Sequence, residues 1–151
     1  MNRGNPPKPE VIGIDHIYIA VSDVATSEGF YDRLMGVLGF RKNSFDIGRD
    51  HHIQYYNRHF GFVLRPARGG THDPYSPGLH HLCLRVDSAE DVADAAAGIR
   101  QAGIDVTEPK LYPEYAPDYC AIFLSDPDGV RLEITNYRQE RRDRHDRWTE
   151  S

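Results

Sequence analysis

Two cysteines in 151 residues are too few for a disulfide framework. Cys83 and Cys120 each lie in a strand-like run, where a buried free thiol of a cytoplasmic protein is expected. Long apolar runs are also missing. Met1 to Glu10 is polar and rich in proline, so it reads as neither a signal peptide nor a membrane span. No unbroken basic run occurs and the formal net charge is −5, which argues against a surface that tracks nucleic-acid phosphates. The hydrophobic 39% of the chain is enough to build the interior of one compact domain.

Present instead is a repeat. Gly13-Ile14-Asp15-His16-Ile17-Tyr18-Ile19-Ala20-Val21 matches Gly78-Leu79-His80-His81-Leu82-Cys83-Leu84-Arg85-Val86 without a gap, at an offset of 65 residues (81 − 16). In the first copy Ile17, Ile19 and Val21 alternate with His16, Tyr18 and Ala20, the period of a strand. Ser22 and Asp23 offer caps to a helix reaching about Leu38, with Phe30, Leu34, Val37 and Leu38 on one stripe. Gly39 is a C-cap, and strands are expected over 40–45, 52–57 and 60–65, the last two joined by a hairpin at Asn57 and Arg58.

The second half repeats the order. A strand over 79–86 leads to a capping box at Ser88-Ala89-Glu90-Asp91 and a helix carrying Val92, Ala95, Ala96 and Ile99. Strands over 104–107, 119–125 and 130–136 follow, with a type I turn at Asp126-Pro127-Asp128-Gly129 between the last two. The chain therefore divides into a polar extension (1–11), a single domain (12–137) and a charged tail (138–151). The domain is an α+β pair of βαβββ modules (12–66 and 78–137) with a Gly/Pro-rich connector (67–77).

Parity places Glu133 with Arg131 and Thr135 on one face of the last strand, opposite Val130, Leu132 and Ile134. If the apolar faces pack under the helices, His16, His81 and Glu133 share the concave side. Two imidazoles and a carboxylate form a facial triad suited to Fe(II) or Mn(II), with sites left for substrate. Singly, a strand histidine is more often structural and a strand glutamate solvent-facing; the repeat is what joins the three.

The double module, Asp15-His16-Ile17, His80-His81-Leu82 and Asp126-Pro127-Asp128-Gly129-Val130-Arg131-Leu132-Glu133 resemble the vicinal oxygen chelate superfamily. This is the group of glyoxalase I, extradiol dioxygenases, fosfomycin-resistance transferases and bleomycin-resistance proteins. The resemblance spans about 12–137 and implies a U-shaped cleft around a divalent metal, with His16, His81 and Glu133 as ligands. The fourth ligand place falls at Val63 (133 − 70), which cannot ligate, so the glyoxalase-type reaction lacks a residue. Lys and Ser of the fosfomycin transferases fall near Pro113 and Pro117.

The reading favoured is therefore an extradiol-type, ring-cleaving dioxygenase holding Fe(II), with Mn, Ni or Zn as other fillings. Its substrate is expected to be a small aromatic or vicinal-oxygen compound. The alternatives are a non-redox lyase or isomerase and a metal-free drug- or metabolite-binding protein. A homodimer is expected, without nucleic acid or membrane partners.

Around the ion, His59, Tyr119 and Tyr18 are candidates for handling protons or steadying oxygen, although Tyr18 could equally pack at a cleft wall. Arg85 reaches either substrate or solvent. Gly61 and Val63 are small and leave room for a flat substrate, and Phe123 stands where related dioxygenases carry a tyrosine. Tyr112, Pro113, Tyr115 and Pro117 form a lid or an ordered connector. His51, His52 and His72 are expected at the solvent. In the tail, Glu140 and Asp143 precede Arg144 and Arg147 at helical spacing, which reads as a solvated helix, with contact to a second subunit through Trp148 as the weaker alternative.

Overall fold

In the structure, a computed structural model that describes residues 4–150, the alternating run after Asp15 becomes β1 (His16–Val21). Asp23 caps α1 (Val24–Val37) by accepting from the Ala25 N–H at 3.1 Å. Gly39, at φ 79°, then turns the chain into β2 (Arg41–Ile47), β3 (Asp50–Tyr56) and β4 (Gly61–Pro66). The Asn57 side chain closes the hairpin between β3 and β4, accepting from the His59 and Phe60 amides at 2.8 and 3.1 Å. The second module repeats this with β5 (His81–Val86), α2 (Ala89–Gln101), β6 (Lys110–Leu111), β7 (Cys120–Ser125) and β8 (Arg131–Asn136). Ser88 caps α2 through the Asp91 N–H at 3.1 Å, as the capping box predicts. The tail forms α3 (Gln139–Asp146) and a 3-10 turn at Trp148–Glu150.

Each module makes its own four-stranded sheet, ordered β1-β4-β3-β2 and β5-β8-β7-β6. The first strand pairs in parallel with the fourth in both. His16 lies opposite Gly61 and His81 opposite Arg131, so offsets of 65 (81 − 16) and 70 (131 − 61) relate the modules strand for strand. Val63 therefore occupies in the first sheet the position of Glu133 in the second.

The helices lie between the sheets' inner faces. Tyr31, Leu34 and Met35 of α1 and Val92, Ala96 and Ile99 of α2 are buried in one core with Phe62, Leu64, Ile122 and Ile134. A Cβ on Gly98 would sit 2.7 Å from Val37 Cγ1, so the absence of a side chain there is what lets α1 and α2 approach. The Asp126–Gly129 turn adds a polar clip. Gly129 donates to the Asp126 carbonyl at 3.0 Å, and the Asp126 side chain accepts from the Asp128 and Val130 amides. Across the module boundary Tyr31 donates to Asp126 at 2.8 Å, in the interior, while Ser22 gives its amide and hydroxyl to Asp128.

Four expectations need correction. Residues 104–107 form no strand: Ile104 is buried and the Thr107 N–H reaches the Phe123 carbonyl at 3.0 Å, but the Phe123 N–H returns to the Thr107 hydroxyl rather than to a carbonyl, so no ladder develops. The sixth strand is instead the two-residue β6, paired with Cys120 and Ala121. Both cysteines are free, but only Cys120 is buried, because Cys83 lies on the open face of the edge strand β5. His52, expected at the solvent, is only 1% exposed: its ring stacks on Phe45 at 4.9 Å and its Nδ1 bonds the Asp50 carbonyl. In α3 the ion pairs join Arg138 to Glu140 and Arg142 to Asp87, in place of the expected four-residue pairs.

Burial raises the Tyr31 hydroxyl's pKa, helped by the neighbouring Asp126 charge, so it stays a donor. Tyr31→Phe would leave the buried Asp126 carboxylate one donor short. The expected loss is about 1–3 kcal/mol, read as a lower urea midpoint with unchanged slope.

Candidate metal centre

The faces turned away from the helices carry the candidate residues, and each sheet has its own cavity. On the first sheet, a cavity of about 590 Å³ is lined by Asp15, His16, Tyr18, Gln54, His59, Gly61 and Val63, among others. The His16 Nδ1 lies 2.8 Å from the Asp15 carboxylate, an acceptor only, so Nδ1 holds the proton and Nε2 keeps its lone pair for a ligand. Tyr18 stands edge-on between His16 and His52, at 5.6 and 5.7 Å. Gln54 pairs across the ladder with Val63, and its amide nitrogen closes over Gly61.

On the second sheet, a cavity of about 420 Å³ holds His80, His81, Tyr115, Tyr119, Phe123 and Glu133. The His81 Nε2 lies 3.5 Å from Glu133 Oε1. Tyr119 donates a short hydrogen bond to the other carboxylate oxygen, and Arg138 stacks on the Tyr119 ring at 4.4 Å. Burial, then the bond to Glu133, raises the pKa of the Tyr119 phenol, which therefore remains protonated and orients the carboxylate. Tyr112, Tyr115, Tyr119 and Phe123 pack ring against ring. The tyrosine loop thus forms the cavity wall.

The Glu133 side chain is 7% exposed, and its one ion-pair partner is the imidazole of His81; among the described residues no lysine or arginine pairs with it. A buried carboxylate aimed into a cavity beside an imidazole is a donor pair short of a cation, and it fits a divalent ion. The third predicted ligand is elsewhere. His16 lines the other cavity, and among the described residues no three His, Cys, Asp or Glu side chains of one chain gather to hold a metal.

The other predicted residues divide between the two faces. His59, Gly61, Val63 and Tyr18 sit with His16, while Phe123 and Tyr119 sit with His81. Arg85 belongs to neither: its guanidinium stacks on Tyr137 at 4.0 Å in a third cavity. Gln54 was not singled out from the sequence, and Asp15 was quoted there only as part of a motif, with no role of its own. Asp15 adjoins His16 and could have been found by asking what fixes the imidazole; Gln54 needs the register of β3 on β4.

The family model described as the glyoxalase/bleomycin resistance protein/dioxygenase superfamily matches residues 13–134. Virulence protein STM3117 of Salmonella typhimurium is 29% identical over 131 residues, covering 82% of this chain and 83% of its own. A glyoxylase/bleomycin resistance protein/dioxygenase domain from Frankia sp. superimposes with a TM-score of 0.70 at 22% identity, covering 85% of this chain and all of that one. The fosfomycin resistance protein FosX from Listeria monocytogenes does so at 0.62 and 15%, covering 88% and 99%. At such identities the two structures speak for the fold.

Cys83 reports on this face. Although the residue as a whole is exposed, its thiol is pushed up to about 12, first because neighbouring protein atoms shield the sulfur from water and then by the Glu133 charge and hydrogen bond. In chelator-treated protein at pH 8 its thiolate fraction should be roughly a thousandth of that of an ordinary cysteine. Labelling by a disulfide reagent should therefore be slow despite exposure, and Glu133→Gln should speed it severalfold.

Proposed function

The chain belongs to the glyoxalase/bleomycin resistance protein/dioxygenase superfamily, and on that premise we propose a divalent-metal enzyme whose centre is built between two copies of the chain. His16 comes from one copy, and His81 with Glu133 from the other. The observation that carries this reading is the division of the donors: one chain presents an imidazole on one open face and an imidazole–carboxylate pair on another. A two-fold dimer that sets unlike faces together completes two centres at once. Both β1 and β5 are sheet edges, so each is open to a neighbour.

A divalent ion held by His16, His81 and Glu133 would supply Lewis-acid chemistry to two adjacent oxygens of a small substrate and, as Fe(II), a path for the ring's own electrons to dioxygen, whose two oxygen atoms would end in the ring-opened product. Asp15 fixes the tautomer of His16, and Tyr119 holds Glu133 in place. Val63 leaves space beside His16, and the Gln54 amide, which fills the place over Gly61, can bond a substrate oxygen there. Phe123 and Tyr115 offer apolar walls to a flat ring, and His59, which lines the first cavity, would carry a proton. A glyoxalase-type isomerisation needs a base where Val63 stands, and neighbouring Gln54 does not titrate. Ring-cleaving dioxygenation is therefore placed first.

Protein purified without oxygen should carry near one metal ion per chain, and His81→Ala should lose it. Co-refolding His16→Ala with His81→Ala tests the shared centre directly. Random pairing restores an intact centre at about a quarter of wild-type occupancy if ligands come from two chains, and none if they come from one. Oxygen uptake with a panel of catechols decides the reaction: metal without uptake would leave the centre standing and sink the dioxygenase. Tyr119→Phe should weaken metal binding roughly 10–100-fold, measured by competition with a chelator, at unchanged fold.

A further inference from the structure

The third cavity lies at the other end of β5. Arg85 follows His81 by four residues on the same face, about 13 Å along the strand. There a cavity of about 620 Å³ is lined by Arg85, Tyr137, Arg141, Arg144, His145 and Trp148, together with Glu10 and Val11 of the N-terminal segment. It shares no residue with the two cavities of the candidate metal centre.

Its charge is unbalanced. The nearby Arg138 and Arg142 are tied to Glu140 and Asp87. Among the described residues Arg85, Arg141 and Arg144 make no ion pair within 4.0 Å, and the space their three guanidinium groups face holds, among those residues, one carboxylate, Glu10. In a chain of net charge −5 this is a local reversal of sign. The pKa of Arg141 is lowered, by burial first and then by Arg144, Arg85 and Arg138, so the cluster repels itself. Arg85 and Arg142 clamp the two sides of Tyr137, at 4.0 and 4.1 Å, which pre-orders the floor of the cavity. Trp148, 63% exposed, supplies a broad aromatic face at the rim.

We propose that this cavity binds a small polyanion bearing a planar ring, of the chemical class of a nucleoside diphosphate. Arg85, Arg141 and Arg144 take the phosphates and Trp148 takes the ring. The guanidinium forks match phosphate oxygens two at a time, and an anion relieves the repulsion the cluster otherwise carries. The site does not depend on the metal-centre reading.

Trp148 is the sole tryptophan of the chain, so its fluorescence reports on this cavity alone. With a chelator present, ADP should change that emission saturably and weaken with salt. Pyrophosphate should compete more weakly than ADP, and adenosine should not bind. The Arg141→Ala/Arg144→Ala pair sits on α3, which buries no side chain, so it should keep the fold by circular dichroism yet bind ADP at least tenfold more weakly by calorimetry. No saturable ADP binding at low salt, or equal affinity in the double variant, would overturn the site. Pyrophosphate binding as tightly as ADP would overturn the role given to the ring.

Discussion

The packing of α1 against α2 is the constraint on which the rest of the molecule depends. Each helix covers one face of its own sheet, so once the two helices meet at Val37 and Gly98 both apolar faces are consumed in one core. The opposite faces must then look outward, and everything polar that strand alternation puts there is left at the surface of the chain. The buried Tyr31–Asp126 bond and the Ser22–Asp128 pair lock this arrangement with contacts that are directional where the hydrophobic core is not. Asp126 and Asp128 of the turn motif before β8 are thus the joint between the modules. They also fix how the faces carrying His16 and His81 diverge.

Duplication then divides labour. Equivalent positions hold His16 and His81, but Val63 faces Glu133, and Gln54 stands opposite Val63 where Phe123 stands opposite Glu133. The second face is the electrostatic one: a buried carboxylate, oriented by Tyr119, beside an imidazole. The first face is roomier and carries neutral hydrogen-bonding groups. A centre made by joining unlike faces has ligands from both, binding space from the first and an aromatic wall from the second. Apart from the histidine each carries, neither half repeats what the other provides.

Much of this was legible in the sequence because it follows from period. Alternation gave β1, β5, β7 and β8 to within two residues, and the caps at Asp23 and Ser88 gave both helices. The 65-residue repeat and the duplicated module are reproduced by the strand registers. What could not be read is what depends on three dimensions. The apolar Ile104 and Val106 look like strand residues but are packed against the core from a loop, since burial alone does not require pairing. His52 is covered on the outward face because Phe45 and Tyr18 flank it, a neighbourhood that the strand registers create. Most of all, parity shows that His16, His81 and Glu133 each leave their own sheet on the face away from the helices. It carries no information on whether two such faces belong to one site.

The polarity of the second sheet follows from the same logic. Along β5 the outward residues run His81, Cys83, Arg85, and along β8 Arg131, Glu133, Thr135. Glu133 faces His81, while Arg85 is drawn to the far end, where Tyr137 holds it between β5 and α3. Had Arg85 turned back toward Glu133, the pair would have satisfied both charges and left the carboxylate no need of another cation. Stacking on Tyr137, shared with Arg142, gives the guanidinium a favourable partner that is not an acid. Two opposite unsatisfied charges are thereby kept apart on one sheet. The carboxylate end suits a cation and the arginine end an anion, so the separation of Arg85 from Glu133 is what lets the proposed metal centre and the proposed anion site share one sheet.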